Sequence, residues 1–259
     1  YSTLLFYHNC THNCGKITAL NNSINTAYWK IIYTYKEKSG FKEDNNLRIN
    51  SKPSAIFIIY TIILYSFWSL LELYLKAKIE IDEFTKEVYI KCILWLIPAI
   101  LIHFIFSNHM FIEKEEMYLL NKKCWIVVPI ILLFTIYIMI SEYLIDGKLM
   151  INESFGISTI IEVLSIAIGE EMVFRGLFLN AILKDKKKYL AVFINSLMFL
   201  AIHFPVWIQS GTFISSFADG GFIIVLLLSC IFSFAFIKTK SIWTAIFLHF
   251  WWDLLLFIF

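Results

Sequence analysis

The chain is short of charge. Asp, Glu, Lys and Arg make up 16% of its 259 residues, against 59% hydrophobic residues and a mean hydropathy of +0.72. Such a balance leaves too little polar surface to clothe a soluble globule of this length, so soluble enzyme folds are excluded and lipid is the expected solvent. Basic stripes are missing as well. The formal net charge is only +2 and no run of cations is interleaved with aromatics, so nucleic acid is excluded as a partner. The five cysteines (Cys10, Cys14, Cys92, Cys124 and Cys230) are odd in number and three lie in or beside apolar runs, which implies no disulfide framework. Near Tyr1 there is no basic segment followed by an apolar core and a small-residue cleavage site, so targeting is expected to fall to the first membrane span.

What the chain has in abundance is long apolar runs. A helix needs about 20 apolar residues to cross the hydrocarbon core. Windows of that size lie at roughly 54–75, 92–112, 124–145, 155–183, 189–209, 219–237 and 241–259. The runs are continuously apolar rather than alternating, which argues against barrel strands. The expected fold is therefore all-α, a polytopic membrane helix bundle of about seven transmembrane helices. It divides into a polar tail over 1–53, three spans over 54–150 and a four-span core over 151–259. The tail repeat His8-Asn9-Cys10-Thr11-His12-Asn13-Cys14 has ligand-type residues, but not the Cys-x2-Cys spacing common in structural zinc sites, and it is assigned no site.

Cation placement sets an expected topology. With the N-terminus in the cytoplasm, sixteen Lys/Arg fall on that side and five (Lys76, Lys78, Lys86, Lys91 and Lys148) on the other. Richness in Ile, Lys, Asn and Phe is what an AT-rich genome encodes, so a bacterial cell membrane is the expected location.

Ionisable groups within spans cost about 2.5–3.5 kcal/mol each at the helix centre on insertion scales, and so mark function by default. The fourth window holds Gly169-Glu170-Glu171-Met172-Val173-Phe174-Arg175-Gly176, the fifth Phe199-Leu200-Ala201-Ile202-His203, and the seventh His249-Phe250-Trp251-Trp252-Asp253. Glu171 and Arg175 are four apart, in the favourable order for an ion pair. Glu170 points about 100° away without a local cation, which leaves it free to act as a base. Asp253 is four residues from His249, close enough to orient the imidazole, and Phe199 is one turn from His203, where its ring can wedge that of the histidine. At a rise of 1.5 Å per residue, Glu170 and His203 both lie about 21 Å from the cytoplasmic ends of their windows, and His249 and Asp253 about 12 and 18 Å. All four fit one buried layer. Glu162, His103 and His109 are instead expected to join helices through hydrogen bonds.

Glu-Glu-x3-Arg, then Phe-x3-His, then His-x3-Asp, on successive spans, resembles the CAAX-protease and bacteriocin-processing family, also called the Abi family. The resemblance covers about residues 155–259. It implies an intramembrane glutamic endopeptidase in which Glu170 and His203 activate water, His249 and residue 253 stabilise the oxyanion, and Glu171 with Arg175 and Phe199 support them. Asp253 departs from the eukaryotic pattern, which has a donor asparagine there; an ionised aspartate cannot donate. The resemblance favours a scheme without a metal cofactor, although Glu170, His203 and His249 would also suit zinc with an open position. Other peptidase signatures, His-Glu-x2-His and Gly-x-Ser-x-Gly, are absent. The implied partners are the lipid bilayer and a peptide or membrane-protein substrate, and the implied roles are bacteriocin maturation or self-immunity. A non-catalytic scaffold or immunity factor with the same fold is the main rival. A transporter is a weaker one, for no internal repeat is seen.

Overall fold

A backbone in hydrocarbon has no water to bond and must satisfy its own N–H and C=O groups, so each apolar window folds as a helix. In the computed structural model, which describes residues 53–259, the order is α1 (residues 53–79), α2 (Thr85–Ile105), α3 (Lys122–Asp146), α4 (residues 157–185), α5 (Lys188–Gln209), α6 (Gly221–Thr239) and α7 (Ile242–Ile258). No strand occurs among the described residues. The His8 to Cys14 repeat lies outside them.

Five of the seven helices, α1, α2, α3, α5 and α6, are long and apolar enough to cross a membrane. The shortfall from seven has a physical cause. Helix α4 carries Glu162, Glu170, Glu171 and Arg175, and α7, at 17 residues, is a turn shorter than a typical span. Outward faces of α1, α2 and α3 are apolar and exposed, with Ile58, Ile62, Leu101 and Leu133 among their residues, as surfaces solvated by lipid should be.

One window is misplaced by the hydropathy reading, and a second, correctly placed, conceals a break. Helix α2 starts at Thr85 rather than 92 and ends at Ile105 rather than 112, because buried ion pairs carry charged residues into its first turns. Lys86 and Lys91, counted above as loop cations, are thus helical and buried. Helix α5 is broken: Lys188–Ala201 ends, Ile202 and His203 form a turn, and Phe204–Gln209 resumes. Pro205 explains the break, since it offers no N–H to the Ala201 carbonyl and its ring crowds the preceding turn.

Helix α4 stands at the centre. All eight residues of its π-helical stretch Met172–Leu179 are buried. One side contributes Ala167, Met172 and Leu179 to a core shared with α3, α6 and α7. The other contributes Val173, Phe174, Leu177 and Phe178 to a second core shared with α1, α2 and α5. The polar groups Glu170, Glu171 and Arg175 in the middle of this helix are therefore held between two apolar layers.

Candidate active site

Glu170 and Glu171 end the α-helical part of α4, immediately before the π-helical turns. Such turns alter the angular register and recur at functional sites. Further π-helical segments at Leu71–Leu75, Thr85–Ile90 and Cys92–Leu96 carry Glu72, Lys86, Glu87 and Trp95, which face the same region.

Glu171 and Arg175 pair as their spacing predicts, with Arg175 Nη1 donating to Glu171 Oε1 at 2.9 Å. Arg175 Nη2 also donates to the carbonyl and hydroxyl oxygens of Ser229 on α6, at 3.1 and 2.9 Å. The guanidinium lies over the rings of Phe199 and Phe232, at 4.5 and 5.4 Å from their centroids. This arrangement locks α4 to α5 and α6 through a charge that no water reaches.

The freedom expected of Glu170 is corrected. Lys91 on α2 donates its Nζ to Glu170 Oε1 at 2.8 Å. The same ammonium lies 2.5 Å from Glu87 Oε2, and 5.1 and 4.9 Å from the ring centroids of Trp68 and Trp95. Glu87 Oε1 in turn meets Lys86 Nζ at 3.1 Å, and Lys86 meets Glu72 of α1 at 2.9 Å and the exposed Glu83 at 2.6 Å. The partner comes from another helix, which spacing within α4 cannot reveal.

His203 lies in the break of α5. Its Nδ1 is 2.7 Å from the Phe199 carbonyl oxygen, which can only accept, so Nδ1 carries the proton and Nε2 is left as the open nitrogen. The Phe199 ring meets the imidazole edge-on, with centroids 5.0 Å apart. His249 is buried among carboxylates. Its Nδ1 is 2.8 Å from Glu171 Oε1, and its Nε2 is 3.2 Å from Asp253 Oδ2 and 3.9 Å from Glu170 Oε2. Asp253 contacts the ring as its spacing predicts, whereas the Glu171 contact was not anticipated. A ring that donates to carboxylates on both nitrogens carries two protons, and in that form Lys91, Arg175 and His249 balance Glu170, Glu171 and Asp253.

Glu170 and His203 line one cavity of about 310 Å³, together with Trp68, Lys86, Glu87, Lys91, Trp95 and Glu162. His249 is not on its wall but stands behind Glu170. Glu162, expected to join helices, instead lines this cavity two turns from Glu170. His109 is exposed just beyond the end of α2 and, among the described residues, its side chain makes no hydrogen bond. His103 is buried, yet among the described residues its ring nitrogens have no hydrogen-bond partner, and it packs edge-on to Tyr118.

Among the described residues, no group of three or more His, Cys, Asp or Glu is arranged to hold a metal ion. The geometry gives the reason: an ammonium occupies Glu170 Oε1, and both His249 nitrogens face carboxylates.

Residues 152–255 match the family model described as type II CAAX prenyl endopeptidase, Rce1-like. Over this stretch the chain is similar to that family. The matched region holds Glu170, Glu171, Arg175, Phe199, His203, His249 and Asp253, and it supports a membrane enzyme of the CAAX-protease type. Helices α1 and α2, and with them Glu72, Lys86, Glu87 and Lys91, lie outside the Rce1-like stretch. No curated protein and no solved structure matches the chain.

These four charges were missed by sequence reasoning. One signal was present: Glu87 and Lys91 are four apart in the favourable Glu-to-Lys order, as are Glu171 and Arg175. The 92–112 window begins five residues too late to include both.

Proposed function

We propose that the protein hydrolyses a peptide bond of a membrane-associated or leader-peptide substrate, with Glu170 as the general base. The observation that carries this reading is the shared cavity, in which a carboxylate from α4 and an imidazole from the α5 break face the same small volume. Glu170 Oε1 is held by Lys91, so Oε2 is the oxygen available to take a proton from water. His203 Nε2 can hold that water by accepting its other hydrogen. The hydroxide equivalent adds to the scissile carbonyl, and negative charge develops on its oxygen. Lys91 on the cavity wall and the His249 imidazolium behind Glu170, oriented by Asp253, are the positive charges that would stabilise it. Collapse breaks the C–N bond, and the proton on Glu170 passes to the leaving amine. Each atom and charge is then accounted for by water and these side chains.

A scheme without metal fits this donor set better than zinc does. A divalent ion bound by Glu170, His203 and His249 would have to displace Lys91 from Glu170 and His249 from its carboxylates, and would sit beside the Lys91 ammonium. A bacterial membrane and a cytoplasmic N-terminus remain part of the proposal. With Lys86 and Lys91 buried in ion pairs, the outer side keeps only Lys76, Lys78 and Lys148 of the cations counted there. Reporter fusions after Lys186 should read cytoplasmic and fusions near Gly211 external; the reverse pattern overturns the orientation.

The deciding experiment compares membrane peptides from cells carrying the wild type and Glu170→Gln. The amide is nearly isosteric, so the variant should accumulate normally while the cleaved products disappear. Cleavage, bacteriocin maturation or immunity at wild-type level with Glu170→Gln would make the protein a scaffold or immunity factor instead.

A further inference from the structure

We propose that the catalytic unit extends beyond the Rce1-like stretch, and that Lys91 of α2 is the positioning residue that aims the Glu170 carboxylate. The inference rests on Glu170 being the base. Its warrant is how thoroughly Lys91 is fixed. The side chain is 4% exposed, donates to Glu170 at 2.8 Å, meets Glu87 at 2.5 Å and lies over the rings of Trp68 and Trp95. Its stem runs over Gly169, where an added Cβ would stand 3.7 Å from Lys91 Cδ. The residue before the base is thus part of the bed on which the lysine lies.

The consequence for Glu170 is geometric. A carboxylate on a long side chain rotates about its last torsion, which has a broad two-fold profile, and so exchanges its oxygens. An ammonium fixed on Oε1 stops that rotation and leaves Oε2 on the His249 side. Glu87 and Lys86 anchor the ammonium to the rest of α2, and Glu72 anchors them to α1. Helices α1 and α2 therefore supply alignment, in addition to a hydrophobic wall.

Removal of the lysine alone would strip Glu170 of its ammonium and leave Glu87 with Lys86 only, so the informative variant is the pair Lys91→Met with Glu87→Gln, which deletes both charges of the anchor. It is compared with Glu87→Gln alone, Lys91→Arg and Glu170→Gln, each as the full chain in membranes, with abundance measured beside cleavage kinetics. The pair should accumulate yet lose kcat by on the order of a hundredfold, the scale expected when a reacting group is displaced by about 1 Å. KM should change less than kcat, and Glu87→Gln alone, which leaves Lys91 on Glu170, should lose less kcat than the pair. Lys91→Arg keeps the charge while moving its centre, and should recover part of kcat. Wild-type kcat in the pair, or in Lys91→Met alone should the pair not accumulate, overturns the inference when Glu170→Gln is inactive. An active Glu170→Gln overturns both the inference and the reading on which it rests.

Discussion

The two halves of the molecule bury charge in the same way but announce it differently. In α4–α7, the Glu171–Arg175 pair and the two histidines stand in short motifs within single helices. In α1 and α2, Glu72, Lys86, Glu87 and Lys91 form a ladder of comparable distances that no family motif describes. The difference lies in what the charges serve. A motif confined to one helix is readable because 3.6 residues per turn sets its spacing. A ladder across three helices depends on which faces the bundle turns toward one another. Yet the two meet on one side chain, since Glu170 takes Lys91 on one oxygen and faces His249 with the other.

The comparison can be broken most forcefully at that meeting point. Glu170→Gln should lower the cleavage rate by about 10²–10⁴-fold, the range for loss of a general base, with protein abundance preserved. Retained cleavage would leave the two halves meeting at a structural residue only. Next in size are two matched variants, Arg175→Met in one half and Lys91→Met in the other. Arg175→Met leaves Glu171 with His249 alone and Lys91→Met takes the ammonium from Glu170, and each should cost about 3–5 kcal/mol, read as a lower midpoint in detergent melting. A wild-type midpoint for Lys91→Met would show that the ladder is not equivalent to the motif pair. Glu72→Gln is expected to do less, on the order of 1–3 kcal/mol, because Lys86 keeps Glu83 and Glu87 as partners. A loss as large as that of Lys91→Met would place the weight of the ladder on α1 instead of α2.

The smallest effect is expected at the start of α2. Asp82 Oδ1 accepts from the Thr85 N–H at 2.8 Å, and hydrogen bonds from Thr85 hold its carboxyl below the ordinary range. A carboxyl lowered on folding stabilises the fold above its unfolded titration range, and that contribution fades as pH falls through the folded value. Asp82→Ala should therefore lower the melting midpoint slightly near neutral pH and leave it unchanged in acid. An equal shift at both pH values would show that Asp82 acts by something other than its charge.

Much of this architecture was legible in the chain. Apolar runs too long for a soluble core required helices in lipid, and depth counting along the windows put Glu170 and His203 in one layer, where both now line one cavity. The misreadings share one cause. A hydropathy window treats every lysine as a reason to end a span, so α2 was begun at 92 and Lys86 and Lys91 were given to a loop. The same habit left α5 unbroken, although Pro205 lay in plain view beside His203.

By itself, the sequence determined the solvent, the helical class, the central polar helix and the three motifs, because each depends on composition or on spacing within one helix. Tertiary structure alone decided that Glu170 has a lysine partner, that His249 also meets Glu171, and that Glu162 faces the cavity. Those contacts join residues as many as 79 positions apart, and their existence follows from the rotation of each helix about its own axis. That rotation is set by packing of both faces of α4 at once, between two apolar cores, which no local pattern in the chain records.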